Sequence, residues 1–274
     1  MQQPAGKSPA IVANGLSRTF RRNDGAEVRA LAGLDFEIER GEFVCILGPS
    51  GCGKSTLLQV AAGLLPPTSG SLSVQGVPVT GPGPERGMVF QKDSVFPWMR
   101  VAANVEYGLR CRGVPAAERR RIAALYLDRV GLSHVARAWP RELSGGMLKR
   151  VAVATVFANG ADVLLLDEPF GALDYVTKHI LHDVLLRLWA EPDRDARRTV
   201  LFVTHDVDEA LILADRIMVM GDGSIVDDRR VEASRPRSTD TLLQPGMVRI
   251  KHILLGHLGL EAARPGDAPA VAGG

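Results

Sequence analysis

Phe43-Val44-Cys45-Ile46-Leu47-Gly48-Pro49-Ser50-Gly51-Cys52-Gly53-Lys54-Ser55-Thr56 is the stretch that decides how this chain is read. The run Phe43 to Leu47 is continuously apolar, the pattern of a strand buried on both faces. Gly48 to Ser55 matches G-x-x-x-x-G-K-[ST], and a helical pattern runs from Lys54 to about Leu65, where Pro66-Pro67 is expected to stop it. Glycines let a loop wrap an anion without Cβ clashes, and the helix N-terminus turns its N–H groups toward that anion. Lys54 is then placed to reach the β- and γ-phosphates of a nucleotide, and the Ser55 hydroxyl to sit on Mg²⁺. Gly48, Pro49, Ser50, Gly51, Cys52, Gly53, Lys54, Ser55 and Thr56 are the candidate phosphate-binding residues. A glycine-rich turn that binds nothing is the bland alternative, and the strand before and helix after it argue against that.

A second apolar run, Val163-Leu164-Leu165-Leu166, ends in Asp167-Glu168-Pro169. Ligands of open α/β sheets bind at strand ends, so Asp167 is a candidate Mg²⁺ ligand. Glu168 is the candidate that orients or deprotonates an attacking water, and Pro169 keeps it out of helical geometry. Alone, two solvated acids capping a strand would be the better reading; the phosphate loop upstream reverses it. Further strands are expected at Val28–Arg40, Ser71–Val79, Met88–Phe90, Val200–Val203 and Ile217–Met220. Val207, Ala210, Leu211 and Ala214 mark one face of a helix between the last two. Buried strands separated by helices imply an α/β domain with a mainly parallel sheet covered on both sides. Residues 92–159 read differently, as arginine-rich helices inserted into that core. Residues 1–10 and 241–274 read as loose tails, leaving 11–91 and 160–240 for the nucleotide-binding core.

Composition narrows the class. The 274 residues are 46% apolar and 23% charged, ordinary for a globular core. A formal charge of +2 and few aromatics argue against a nucleic-acid partner. Three cysteines, Cys45, Cys52 and Cys111, form no C-x-x-C pair, which suits a reducing compartment. No apolar run approaches the roughly 20 residues of a membrane span, so any membrane role is expected to come through a partner.

Leu143-Ser144-Gly145-Gly146-Met147 narrows it further. A serine and two glycines before an apolar helix make a second anion-binding helix end, although by itself the segment is equally a plain N-cap. It resembles the signature sequence of the ATP-binding-cassette (ABC) transporter family, usually written LSGGQ. Other positions agree in order. Gln91 resembles the glutamine that senses Mg²⁺ and water, and Gly171-Ala172-Leu173-Asp174 resembles the D-loop. His205 resembles the switch histidine at the γ-phosphate, and Phe20 stands where the family stacks an aromatic on adenine. The resemblance spans about residues 10–230. Glu85 to Asp93, followed by Phe96-Pro97-Trp98, resembles the nitrate/sulfonate/taurine importer branch, as do Gly145-Gly146-Met147 and Thr204 to Ala210; Gln91-Lys92-Asp93 leans toward taurine or alkanesulfonate. Two departures stand out: Leu148-Lys149-Arg150 where the family usually carries Arg-Gln-Arg, and Ala154-Thr155-Val156 in place of Ala-Arg-Ala. Both bear on how tightly the helical insertion couples to the core.

The resemblance implies a P-loop NTPase (RecA-like) core with an antiparallel β subdomain and an inserted helical subdomain. It implies an ATPase using ATP and Mg²⁺, in which two copies sandwich the nucleotide. Each site would take Lys54, Ser55, Asp167, Glu168, Gln91 and His205 from one copy and Ser144, Gly145, Gly146 and Asp174 from the other. It further implies transmembrane permease subunits contacted through Asp93–Tyr107, a substrate-binding protein acting indirectly, and a place on the cytoplasmic face of the membrane. The rivals are a soluble ABC ATPase without a membrane partner, a P-loop kinase, and a hydrolytically impaired structural subunit.

Overall fold

In the computed structural model, residues 9–92, 94–171, 173–190 and 197–260 are described. Along the chain run β1 (Ile11–Arg21), β2 (Glu27–Ile38), β3 (Phe43–Leu47), α1 (Lys54–Ala61), β4 (Ser69–Val74), β5 (Val77–Pro78), β6 (Arg86–Val89), α2 (Val101–Cys111), α3 (Ala116–Arg129), α4 (Gly145–Ala158), β7 (Val163–Asp167), α5 (Tyr175–Trp189), β8 (Thr199–Thr204), α6 (Val207–Leu213), β9 (Arg216–Gly221), β10 (Ser224–Arg230), α7 (Thr239–Leu242) and α8 (Pro245–His257). One sheet is antiparallel, in the order β2-β1-β4-β5. The other runs β10-β9-β3-β8-β7-β6, parallel throughout except for the edge strand β10.

The apolar runs are explained by the two faces of the parallel sheet. Phe43, Cys45, Leu47, Leu164, Leu166, Val200 and Phe202 point to one face, into a core shared with α4, α5, α6 and α8. Val44, Ile46, Val163, Leu165, Leu201 and Val203 point to the other, where α1 and the antiparallel sheet cover them. Both faces are dry, so period-2 alternation vanishes and the strands read as unbroken hydrophobic runs.

Several boundaries differ from the sequence reading. The first helix ends at Ala61 rather than near Leu65. Gly63, at φ 77°, stops it, and the Leu64 N–H reaches back to the Gln59 carbonyl, so Pro66-Pro67 arrives after the helix is already closed. Ser71–Val79 is not one strand: Gln75 and Gly76 take φ 52° and 81° and fold it into the β4–β5 hairpin. Ala10 is no part of a tail, because it is buried and its N–H donates to the Ile38 carbonyl at 2.7 Å. Residues 241–257 are likewise not a loose tail. They hold the end of α7 and all of α8, which buries Met247 and Leu254 and ties Lys251 to Asp208 at 2.7 Å. Pro245 opens α8 at a position where a missing N–H costs nothing. Residues 1–8 and 261–274 of the expected tails lie outside the described residues.

The helical insertion is less separate than residues 92–159 suggested. α2 and α3 pack on α4, but Val151, Ala154 and Phe157 of α4 enter the same core as β7 and β8. A Cβ at Gly87 on β6 would stand 2.5 Å from Val156 Cγ1, so a side chain of α4 packs directly on the strand backbone there. α4 therefore belongs to both parts and can carry movement between them.

Candidate active site

The four loops singled out in the sequence leave the C-terminal ends of neighbouring strands. Gln91 follows β6, Asp167 ends β7 with Glu168 just beyond it, His205 follows β8, and the phosphate loop follows β3. Those strands lie side by side in the order β3-β8-β7-β6. The parallel register alone brings residues far apart in sequence to one edge, where open α/β sheets take ligands.

The phosphate loop is held by its neighbours. Gly53 has φ 107°, and a Cβ there would lie 2.2 Å from the Ala30 carbonyl oxygen of β2. From the other side the Gly223 N–H of the β9–β10 turn donates to the Cys52 carbonyl at 3.1 Å. The Lys54 ammonium, nearly buried, donates to the carbonyls of Gly48 at 2.8 Å and Pro49 at 2.7 Å. Ser55 Oγ donates to Asp167 Oδ1 at 3.0 Å.

Burial pushes the Asp167 carboxyl above the usual carboxylate range; the Ser55 hydrogen bond pulls it down, and Glu168 pushes it up again. A dry carboxylate beside a hydroxyl suits a hard cation with oxygen ligands. Ser55, Asp167 and the Gln91 side-chain carbonyl are the residues that would hold Mg²⁺, which when bound offsets phosphate charge. Among the described residues no group of three His, Cys, Asp or Glu could hold a metal alone. Asp167→Asn removes a buried charge while keeping the acceptor for Ser55. It is expected to leave the melting temperature of nucleotide-free protein unchanged or higher while abolishing turnover. A melting temperature lower by more than about 4 °C, on the order of 1–2 kcal/mol, would contradict this account of the site.

Glu168 stands just past the strand with φ 41°, in the left-handed region uncommon for a residue with a Cβ. Pro169 does keep it from right-handed helical geometry, but the outcome is a tight turn, not an extension of the strand. Its Oε2 accepts a hydrogen bond from Gln91 Nε2 at 3.1 Å and lies 3.3 Å from His205 Nδ1. His205 is half exposed, while its loop is locked. Asp206 caps α6 through the N–H groups of Asp208 and Glu209 and pairs with Lys178 of α5 at 2.8 Å. Burial raises the Asp206 carboxyl, but Lys178 and the α6 N–H groups outweigh it and hold the group below the carboxylate range. Thr204 Oγ1 donates to the Glu209 carboxylate, whose other oxygen is 2.9 Å from His182 Nε2, both side chains being buried.

The cavity at the phosphate loop measures about 260 Å³, and Ala30, Gly51, Lys54, Ser55, Gln91 and Glu168 are on its wall. That is below the roughly 300–1,000 Å³ of a complete small-molecule pocket. Ser144, Gly145, Gly146, Asp174 and Phe20 do not line it. Ser144 caps α4, accepting from the Met147 N–H at 3.3 Å, and Asp174 caps α5, accepting from the Thr177 N–H at 3.0 Å. Gly146 is explained within the chain, since a Cβ there would lie 2.5 Å from Thr177 Cγ2. Gly145 is not: nothing stands within 4 Å of where its Cβ would be. Phe20 lies on β1 with the Arg18 guanidinium 4.7 Å from its ring centroid. Ala172 of the D-loop lies outside the described residues.

Beside the site the helical part forms a groove of about 730 Å³, with Phe96, Trp98, Pro140, Leu148 and Lys149 on its wall. Trp98 is 71% exposed, and the Phe96 ring lies tilted against Trp98 and edge-on to Tyr107. Asn104 holds this loop from within: Nδ2 donates to the carbonyls of Phe96, Met99 and Arg100, and Oδ1 accepts from the Phe96 N–H. Asp93, the expected start of this contact stretch, lies outside the described residues. The two departures also have partners. Lys149 Nζ donates to the Gln91 carbonyl at 2.6 Å, Arg150 Nη1 to the Val130 carbonyl at 3.0 Å, and Thr155 Oγ1 to Val151 of its own helix at 2.9 Å. Asn104, His182, Lys178 and Lys149 were not found in the sequence as parts of the site, because a single polar residue in a helical stretch gives no signal of what it will meet.

Comparison with known proteins identifies the family. A model of the ABC transporter family matches residues 31–171. The nitrate import ATP-binding protein NrtD of Synechocystis is 48% identical over 226 residues, 82% of this chain and 83% of its own. The taurine import ATP-binding protein TauB of Chromobacterium violaceum is 45% identical over 220 residues, 80% of this chain and 83% of its own. The dimeric post-hydrolysis structure of the ATP-binding cassette MJ0796, bound to ADP and Pi, superposes with a TM-score of 0.71 at 30% identity, covering 82% of this chain and all of that one. A phosphate loop, an acidic strand end and a capped signature helix on this sheet order, with relatives of that kind over four fifths of the length, lead to one family: the chain belongs to the ABC transporters, as one of their ATPases.

Proposed function

We propose that this chain powers a small-anion importer by closing as a pair around two ATP molecules and hydrolysing them. The observation that carries this is the divided site. One chain supplies the phosphate loop, Gln91 and Glu168 on the wall of a cavity of only about 260 Å³, with His205 3.3 Å from Glu168, and leaves Ser144 and Gly145 exposed elsewhere. Gly145 has no neighbour that would demand a glycine. A helix end with open N–H groups and no Cβ in the way suits the triphosphate held by a second copy. In that arrangement Lys54 and the loop N–H groups hold the β- and γ-phosphates, and Glu168, oriented by Gln91, takes a proton from the attacking water. His205 contacts the γ-phosphate, and Asp174 and its D-loop cross between copies. Phe20, with the Arg18 guanidinium over its ring, is the aromatic that stacks on adenine in this reading. Catalysis is then mostly positioning and charge placement.

No described helix is long and apolar enough to cross a membrane. In this reading the work is delivered to permease subunits, in keeping with relatives named as import ATP-binding proteins. The groove beside Trp98 is where a short helix of the permease would seat, which puts the chain on the cytoplasmic face of the membrane. A substrate-binding protein acts only through that permease. Relatives named for nitrate and for taurine stand at nearly equal identity, 48% and 45%. Cargo is therefore chosen outside the cassette, within a class of small anions and sulfonates.

The test is pairing. With Glu168→Gln to hold ATP, gel filtration should show a dimer on adding Mg-ATP. Adding Ser144→Arg, an exposed change that fills the signature cradle, should leave a folded monomer at the same nucleotide concentration. A dimer that survives Ser144→Arg would remove the composite site and this reading with it.

A further inference from the structure

The signature helix α4 and the hydrolytic carboxylate are joined inside one chain by hydrogen bonds that run through Gln91. Lys149 stands on α4 between the Ser144 cap and the buried turn starting at Val151. Its ammonium donates to the Gln91 main-chain carbonyl at 2.6 Å, across 58 residues of sequence. The Gln91 side chain then donates to Glu168 Oε2 at 3.1 Å, the oxygen that faces His205 at 3.3 Å. Gln91 is exposed and lies just past the end of β6, so no ladder hydrogen bond sets its position. A charge-assisted bond to its carbonyl is about twice as strong as a neutral one and can set it.

Resting on the ATPase reading above, we propose that Lys149 is a positioning residue: it holds Gln91, and through Gln91 the Glu168 carboxylate, so that displacement of α4 reaches the hydrolytic group. α4 does not need Lys149 to fold. Its C-terminal half is buried among the strands, and Arg150 fastens the same turn to the Val130 carbonyl at 3.0 Å. Lys149 also borders the groove beside Trp98, so whatever fills that groove meets the residue that holds Gln91. The bond thus stands between partner docking and water activation.

The experiment is a double-mutant cycle on the full chain, read as phosphate release and as melting temperature. Lys149→Met is expected to lower kcat about tenfold with KM for ATP and melting temperature unchanged, and Lys149→Arg to restore most of it. In a Gln91→Ala background, which keeps the carbonyl but removes the link to Glu168, Lys149→Met should change kcat less than about twofold. Should the methionine variant fold poorly, Lys149→Gln carries the same loss of charge and is read in its place. An unchanged kcat, a loss confined to KM, or an equal loss with and without the Gln91 side chain each overturns the proposal. Glu168→Gln in the same assay separates the two readings: if it turns over normally the ATPase assignment of the site fails, whereas if only Lys149 is silent the relay alone falls.

Discussion

Glu168→Gln is expected to slow ATP turnover by about 10²–10⁴-fold while leaving ATP binding intact. The substitution keeps the size of the side chain and its place in the turn. It removes the one carboxylate among the described residues of the cavity wall, the group proposed to accept a proton from water. Glu168 is well suited to that task. The Gln91 amide and the His205 ring aim its Oε2, and its backbone holds a φ of 41° that an unconstrained glutamate would leave. Positive φ at a non-glycine residue costs on the order of 1–3 kcal/mol, so the surrounding packing must enforce it. Two main-chain hydrogen bonds hold the turn, Glu168 N–H to the Val203 carbonyl at 3.1 Å and Gly171 N–H to the Glu168 carbonyl at 3.3 Å, and Phe170 just beyond is fully buried. Single-turnover phosphate release, with nucleotide binding measured separately, is the check. Turnover within about twofold of the parent protein would take Glu168 out of the chemistry.

Lys54→Ala is expected to remove detectable ATP binding. Lys54 lies on the wall of the phosphate cavity, is only 5% exposed, and has its ammonium fixed by two loop carbonyls. Charge-assisted hydrogen bonds contribute about 1.5–3 kcal/mol each, so losing two to a triphosphate lowers affinity by roughly 10²–10⁴-fold. A second effect works in the same direction, because the carbonyls of Gly48 and Pro49 lose their donor and face the incoming anion. Equilibrium binding by fluorescence or calorimetry decides it, with circular dichroism to show that the loop variant is folded. Micromolar affinity retained in Lys54→Ala would mean that the loop is not the phosphate site.

The effects of the two substitutions differ in a way that tests the geometry as well as the roles. Lys54→Ala acts on binding, and so should also abolish ATP-driven pairing. Glu168→Gln acts after binding, and so should enhance pairing by preventing its release through hydrolysis. If both variants paired equally well, the order of events assigned to the site would be wrong.

Much of this was legible in the sequence where the chemistry is local. The phosphate loop needs its glycines, lysine and serine within one strand-to-helix turn, so the whole device is written contiguously from Gly48 to Thr56. The parallel strands were legible because burial on both faces leaves unbroken apolar runs such as Val163–Leu166. Edges were harder. β10 mixes Asp227, Asp228, Arg229 and Arg230 into a half-exposed strand that ion pairs with its neighbours, as Arg216 does with Asp228, and carries no hydrophobic period. The C-terminal helix α8 was missed because only Met247 and Leu254 of its residues are deeply buried, too few to mark a face.

What the sequence determined by itself was the chemistry of each loop and the family whose order of motifs they follow. The tertiary structure alone decided which of them meet. Parallel register brought Gln91 and His205 onto one Glu168 oxygen, while Ser144 and Gly145, at the start of α4, stand exposed away from that cavity. It also put a lysine of α4 onto the Gln91 carbonyl, and His182 onto Glu209 beneath the switch loop. These are polar contacts between residues 27 to 77 positions apart. A side chain records only its own donors and acceptors; the partner that satisfies them is chosen by how strands and helices pack.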